Sequence, residues 1–205
     1  MINNEDPESF HLDENVVINL LRAKSKDFYW LIVDKKYKEK QTGAKRWNQT
    51  VPMDKTNWTN IFKSVQKTCR ENRVREFHFK FIHRIVVTKK ELFRFNIKSD
   101  SNCIYCRDLD SIDHTFSECQ CTKSYSQEVL QWFNTENNSE FNLNIEDLLF
   151  GTFPSSSTLI KKLNYTLLFL RYYIYKKKLQ NDSPLLLLSD FINKVKYKYK
   201  LEKII

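Results

Sequence analysis

The sequence predicts a mainly α fold, an irregular helical bundle into which a small module bearing cysteine and histidine is set. Three observations carry that expectation. Only two glycines and four prolines occur in 205 residues, too few for a chain of tight hairpins. Apolar residues recur at three- and four-residue spacing along most of the chain, the period of a helix with one buried face. Four of the five cysteines fall between residues 103 and 121, where the polar residues Arg107, Asp108, Asp110, Ser111 and Asp113 suit a solvated loop. With 41% hydrophobic residues the chain has enough apolar volume for one or two domains.

Taken in order, residues 1–20 read as an acidic flexible leader containing Pro7, without the basic and apolar regions of a secretory signal. Val16, Val17, Leu20 and Leu21 have helical spacing within Glu14 to Arg22, and Ser25 can cap a second helix through Tyr37. Its segment from Phe28 to Val33 suits a strand equally by composition, and the absence of an evident partner strand favours helix. Thr50 to Asp54 is a loop, after which Asp54 or Thr56 caps a helix with Trp58, Ile61, Phe62 and Val65 on its core face. Arg70 to Val86 follows, with Val74, Phe77, Phe81, Ile82 and Ile85 inward and Arg73, Arg75, Lys80 and Arg84 elsewhere. His78 and His83, five apart, read as surface or half-buried residues, because helical metal pairs need a spacing of three or four.

Thr88 caps a short helix with Leu92, Phe93 and Phe95, and residues 96–102 loop into the cysteine module. Beyond it, Thr122 to Phe133 is a helix, Asn134 to Glu140 a linker, and Ile145 to Phe150 a short helix stopped by Gly151. After a linker at Phe153 to Ser157, a long helix runs from Thr158 to Leu179. Leu159, Leu163, Leu167, Leu170 and Ile174 face inward, and Lys176 to Lys178 suit the dipole of the last turn. Its apolar part, interrupted by Arg171 and preceded by Lys161 and Lys162, is too short to span a membrane. Ser183 and Pro184 supply N-cap and N1 for a final helix with Leu188, Phe191, Ile192, Val195 and Tyr199 inward. Lys194, Lys196, Lys198 and Lys200 then read as its solvated face.

The net charge of +9 is unevenly spread. Residues 1–20 carry −5, residues 21–99 carry +14, residues 100–150 carry −8 and residues 151–205 carry +8. A polyanion is therefore expected on the block at 21–99. Candidate contacts there are Lys35, Lys36, Tyr37, Lys38, Lys45, Arg46, Trp47, Arg70, Arg73, Arg75, Lys80 and Arg84, cations interleaved with rings that can stack bases. The domain reading is a leader at 1–20, a basic helical region at 21–99, a metal module with its following helix at 100–134, and a helical region at 135–205 packing on the body.

Cys103, Cys106, His114 and Cys119 have the spacing C-x2-C-x7-H-x4-C, offering three thiolates and one imidazole to a tetrahedral Zn²⁺. Four protein ligands close the coordination sphere, so the expected role of Zn²⁺ is structural. Cys121 stands open as an alternative to Cys119, and Cys69 reads as a core thiol. The competing reading of all of them is inert buried thiols packing as small hydrophobes. An odd number of cysteines without a signal segment suits a reducing, intracellular setting, nucleus or cytoplasm. A zinc hydrolase is disfavoured, since neither His-Glu-x-x-His nor a deaminase-type His-x-Glu occurs.

With these residues in view, the chain resembles the zinc-binding segment that follows the polymerase domain in LINE-type (non-LTR) retrotransposon reverse transcriptases. The resemblance covers about residues 20–203. It is carried by Lys45-Arg-Trp47, Trp58 to Phe62, Phe77 to Arg84 with Leu92, the C-x2-C-x7-H-x4-C set, Trp132-Phe133, and Asn164 to Tyr175. It implies RNA or DNA binding during target-primed reverse transcription, with an attached polymerase domain as a further partner. Neither Tyr-x-Asp-Asp nor Phe-x-Asp-Asp occurs, and Asp108 and Asp110 read as solvated acids of the metal loop, so the expectation is a non-catalytic fragment or remnant. The alternative is a zinc-stabilised scaffold for a protein partner, suggested by the negative charge around the cysteines.

Overall fold

The computed structural model describes residues 9–13, 16–19, 43–53, 55–153, 157–180 and 185–204. The chain divides into two compact units, residues 1–41 and residues 42–205. Within the first, β1 (Ser9–Asp13) pairs antiparallel with β2 (Val16–Asn19), Phe10 opposite Ile18 and His11 opposite Val17. The helix expected from Glu14 is thus a strand over residues 16–19. Val-Val-Ile is a β-branched run, stiff at χ1, which favours extended backbone over the helix its spacing also permits. The expected helix from Ser25 to Tyr37 lies outside the described residues.

The regular elements described in the second unit are helices, apart from an isolated bridge between Asn102 and Leu109. Its helices are α1 (Gly43–Asn48), α2 (Lys55–Lys67), α3 (Asn72–Ile82), α4 (Lys89–Arg94), α5 (Gln120–Asn137), α6 (Ile145–Phe150), α7 (Thr158–Leu179) and α8 (Leu188–Ile204). One π turn, His114–Glu118, precedes α5. The mainly α fold class therefore holds.

Helix α7 is the axis of this unit, packing against α3, α5, α6 and α8. Sequence spacing assigns it one apolar stripe, yet every residue from Leu163 to Arg171 is buried. Ser157 starts it by accepting the Ile160 amide at 3.1 Å. Around it the core gathers Trp47, Trp58, Phe77, Phe81, Phe150, Phe169 and Phe191. Trp47 and Phe150 meet edge-on at 5.3 Å, as offset quadrupoles prefer.

Several caps are those expected. Thr88 caps α4, in a capping box with Glu91, and Gly151 ends α6 at φ +89°, while Asn144 and Asp147 form a further box on α6 that was not expected. The expected linker at Asn134 to Glu140 is shorter than that. Helix α5 continues to Asn137, Asn138 takes the left-handed conformation, and the Asn134 side chain holds Phe141 through both main-chain groups. Ile85, expected inward, lies beyond the end of α3 and is exposed, because Arg84 at φ +54° turns the chain away. The expected Ser183-Pro184 cap and the side chain of Val65 lie outside the described residues. No helix among the described residues is long and apolar enough to cross a membrane.

Candidate metal centre

The first two donors come from a turn closed by an isolated bridge and backbone hydrogen bonds. Asn102 and Leu109 bridge, the Cys103 amide donates to the Asp108 carbonyl at 2.6 Å, and the Arg107 amide donates to the Cys103 carbonyl at 3.0 Å. Arg107 takes a left-handed conformation at φ +71°, which tightens the loop. Cys103 and Cys106 are thereby carried on one knuckle.

The other two donors come from the π turn. The Cys119 amide donates to the His114 carbonyl at 2.9 Å, an i to i−5 bond. That extra residue per turn brings positions five apart onto one side, which an α-helix does not. Ser117 and Thr115 reinforce the turn, Ser117 Oγ donating to the Asp113 carbonyl and the Thr115 amide to the Ser111 carbonyl.

The four donor atoms of Cys103, Cys106, His114 and Cys119 all lie within 4.8 Å of one another. Cys103 Sγ is 3.9 Å from Cys119 Sγ, Cys106 Sγ is 3.8 Å from Cys119 Sγ, and Cys106 Sγ is 3.1 Å from His114 Nε2. Two sulfurs each about 2.3 Å from a tetrahedral zinc stand roughly 3.8 Å apart, whereas a disulfide holds them at about 2.0 Å. Donor set and spacing both fit Zn²⁺. Cys121 is exposed, one residue into α5, and stands outside the cluster. Cys69 is a core thiol, its Sγ donating to Glu202 at 3.1 Å, with burial first and that bond second pushing its pKa up to about 12.

Thiolate chemistry is already graded among the sulfurs. The hydrogen bond between Cys103 and Cys119 pushes Cys103 up to about 11 and holds Cys119 down to about 7. Cys119 also sits at the start of α5, where helix amides favour an anion.

Beneath the centre lies a buried ion pair that sequence reasoning missed. Lys178 Nζ donates to Asp110 Oδ1 at 2.8 Å, and both side chains are almost wholly buried. Thr115 donates to the same oxygen at 2.8 Å. Burial alone would pull the Lys178 pKa down, but Asp110 and the neighbouring Cys103 outweigh it and the net direction is up. A zinc ion with three thiolates and a neutral imidazole carries one net negative charge, so with Asp110 the site would hold two, of which Lys178 offsets one. Asp110 is therefore not the solvated acid expected, and Lys178 is not simply a helix-end cation. Nothing in the sequence marks the pair, since Lys178 stands 68 residues from Asp110.

Asp113 is likewise engaged. It takes Arg84 in a two-point pair, Nη1 to Oδ1 at 2.8 Å, and the guanidinium lies 4.3 Å from the Trp47 ring centroid. This joins the metal loop to α1 and α3. It also removes two residues from the expected nucleic-acid set. Trp47 is 0% exposed, donating through Nε1 to the Ile82 carbonyl at 3.1 Å, so neither ring face can receive a base. Arg84 is committed to Asp113 rather than to a phosphate.

Of the remaining candidates, Lys45, Arg46, Arg70, Arg73 and Lys80 are exposed and Arg75 is half-buried; Lys80 pairs with Glu76 on its own helix. Lys35, Lys36, Tyr37 and Lys38 lie outside the described residues. His78 is neither the surface nor the half-buried residue expected. It is 2% exposed, both ring nitrogens lack a hydrogen-bond partner among the described residues, and burial followed by the nearby Arg171 lowers its pKa to about 3. His83 is half-buried, its ring against Phe79 at 4.4 Å.

Residues 42–125 match a protein family described as zinc-binding in reverse transcriptase. The matched stretch runs from the start of the second unit into the second turn of α5 and holds all four donors. No curated protein matches the chain.

Proposed function

We propose, from a zinc-binding segment of reverse-transcriptase type over residues 42–125, that the chain is a non-catalytic nucleic-acid-binding module from the C-terminal part of a non-LTR retrotransposon reverse transcriptase. The observation that carries the reading is the convergence of three cysteines and one histidine, with Cys103, His114 and Cys119 buried. A metal held by four protein donors has no position for an attacking water, which supports a role in holding shape. In this role the ion fastens the 100–119 loop, and Arg84 with Asp113 passes that order to α1 and α3.

Nucleic acid is supported by the excess of exposed cations among Lys45, Arg46, Arg70, Arg73 and Lys80, against the acidic charge around the metal. Binding of this kind works through phosphates and is steeply salt-dependent, with each lost contact removing about one released counterion. A titration of RNA and DNA oligonucleotides at two salt concentrations tests it. The expected outcome is affinity that falls with salt, reduced by Arg73→Glu with Arg75→Glu, and lost in Cys106→Ser only together with folding. Absent binding at low salt, or binding indifferent to salt, contradicts the reading. Selective loss of binding in a well-folded Cys106→Ser protein contradicts the structural role of the metal.

One observation favours a protein partner as a second reading, and the polymerase domain of a parent protein is the natural candidate. Helix α4 buries none of its residues, and Phe95 and Ile97 beyond it are 54% and 65% exposed. Retention of this chain by such a domain, abolished by Phe95→Ser with Ile97→Ser, tests it.

A further inference from the structure

The lysines of the last helix do more than solvate it. Helix α8 lies on α7 with a groove along each flank. One, of about 430 Å³, is lined by Trp132, Lys162, Tyr165, Lys196, Tyr199 and Lys200. The other, of about 320 Å³, has Tyr172, Lys176, Lys177, Lys194, Tyr197 and Lys198 on its walls. Seven lysines thus line the two grooves, against two carboxylates, Glu71 and Glu136.

Those carboxylates and Asp190 pair with Lys198, Lys196, Lys177 and Lys194; the Lys196 and Lys194 pairs are open to solvent, whereas Lys177–Asp190 is half-buried and Asp190 also holds the Tyr173 hydroxyl. Pairs open to solvent are weak, and there a phosphate can replace the carboxylate. Lys176 and Lys200 project as exposed cations. Tyr197, between Lys196 and Lys198, is 62% exposed, a flat ring presented to solvent. Lysines that follow a groove, with rings among them, match a strand whose phosphates and unpaired base faces are both available; a duplex hides its base faces.

We propose that the grooves flanking α8 bind a single-stranded polynucleotide, with phosphates on the lysines and bases against Tyr197 and the neighbouring rings. The lysines and rings of this surface all lie outside the family match at residues 42–125. It rests on the nucleic-acid reading above and gives that reading a second site, apart from the cations of α1 and α3.

The test is fluorescence anisotropy of a labelled oligothymidylate of roughly 20 nucleotides, and of a duplex of that length, with the full chain. Three proteins are compared: the unaltered chain, a variant carrying Lys176→Gln, Lys200→Gln and Tyr197→Ser, and a variant carrying Arg46→Gln and Arg73→Gln. The α8 variant is expected to lose single-strand affinity by about tenfold or more, and two absent phosphate contacts lower the salt slope by about 1.4. If that variant does not fold, Lys176→Gln with Lys200→Gln carries the test through the slope alone. An α8 variant that binds single strands with the original affinity and slope overturns the assignment, and leaves the nucleic-acid reading standing. No binding by the unaltered chain at about 50 mM salt removes both.

Discussion

Lys178 and Asp110 illustrate how much a single pair of side chains decides beneath the metal loop. Removing one partner of a buried, hydrogen-bonded pair leaves the other charged in a low dielectric, so Lys178→Met or Asp110→Leu alone is expected to cost about 3–5 kcal/mol. The double variant should cost less than the sum, which urea unfolding of the four proteins measures; additive losses would contradict the pairing. His78 makes a separate prediction. The folded chain keeps it neutral with a pKa of about 3, whereas 6.5 is its ordinary value. Between those values the unfolded chain binds the extra proton, so stability rises with pH across that window, at up to about 1.4 kcal/mol per pH unit, and is flat above it. Thiolate protonation and metal loss act on His78→Leu equally. The difference in unfolding midpoint between it and the original protein therefore isolates the histidine, and identical pH profiles would contradict its burial as neutral imidazole. Both residues were opaque in the sequence because burial depends on distant partners: His78 reads as one polar position on a helix, and Lys178 as one of three consecutive lysines.

At the scale of elements, the sequence was most legible where local chemistry acts alone. Ser157 starting α7, the Thr88 cap of α4, and Gly151 ending α6 depend on residues within a turn of each other, and each stands where its motif indicates. The hairpin at Val16 to Asn19, the extension of α5 to Asn137 and the π turn were not legible, since apolar spacing is compatible with more than one backbone there. The π turn matters most. A spacing of five argues against a shared ligand site on an α-helix, and it is this turn that lets His114 and Cys119 converge. Close approach of two elements gives a further test at Gly43. A Cβ there would stand 2.6 Å from the Ile82 carbonyl oxygen and 2.7 Å from His83 Cα, both main-chain atoms at the end of α3. Gly43→Ala is expected to destabilise by about 1–3 kcal/mol, read from thermal or urea unfolding. An unchanged midpoint would contradict the packing of α1 on α3.

Over the whole chain, positive charge is segregated from the metal donors. The cations of residues 21–99 and 151–205 flank an acidic block that holds the four donors. The candidate zinc ligands were legible as a spacing pattern because ligand chemistry needs few residue types in a short stretch, and the Cys119 or Cys121 alternative is resolved geometrically by the exposure of Cys121. The contacts proposed for nucleic acid were less legible, since a basic residue beside a ring reads alike whether the ring is buried, as Trp47 is, or open, as Tyr197 is. One zinc ion is expected, held by Cys103, Cys106, His114 and Cys119 with no other ligand. X-ray absorption at the zinc edge of the purified chain, together with its metal content, tests this directly. The expected result is one zinc per chain with three sulfur scatterers at about 2.3 Å and one nitrogen at about 2.0 Å. No stoichiometric zinc, a shell of four sulfurs, or an added oxygen ligand would contradict it.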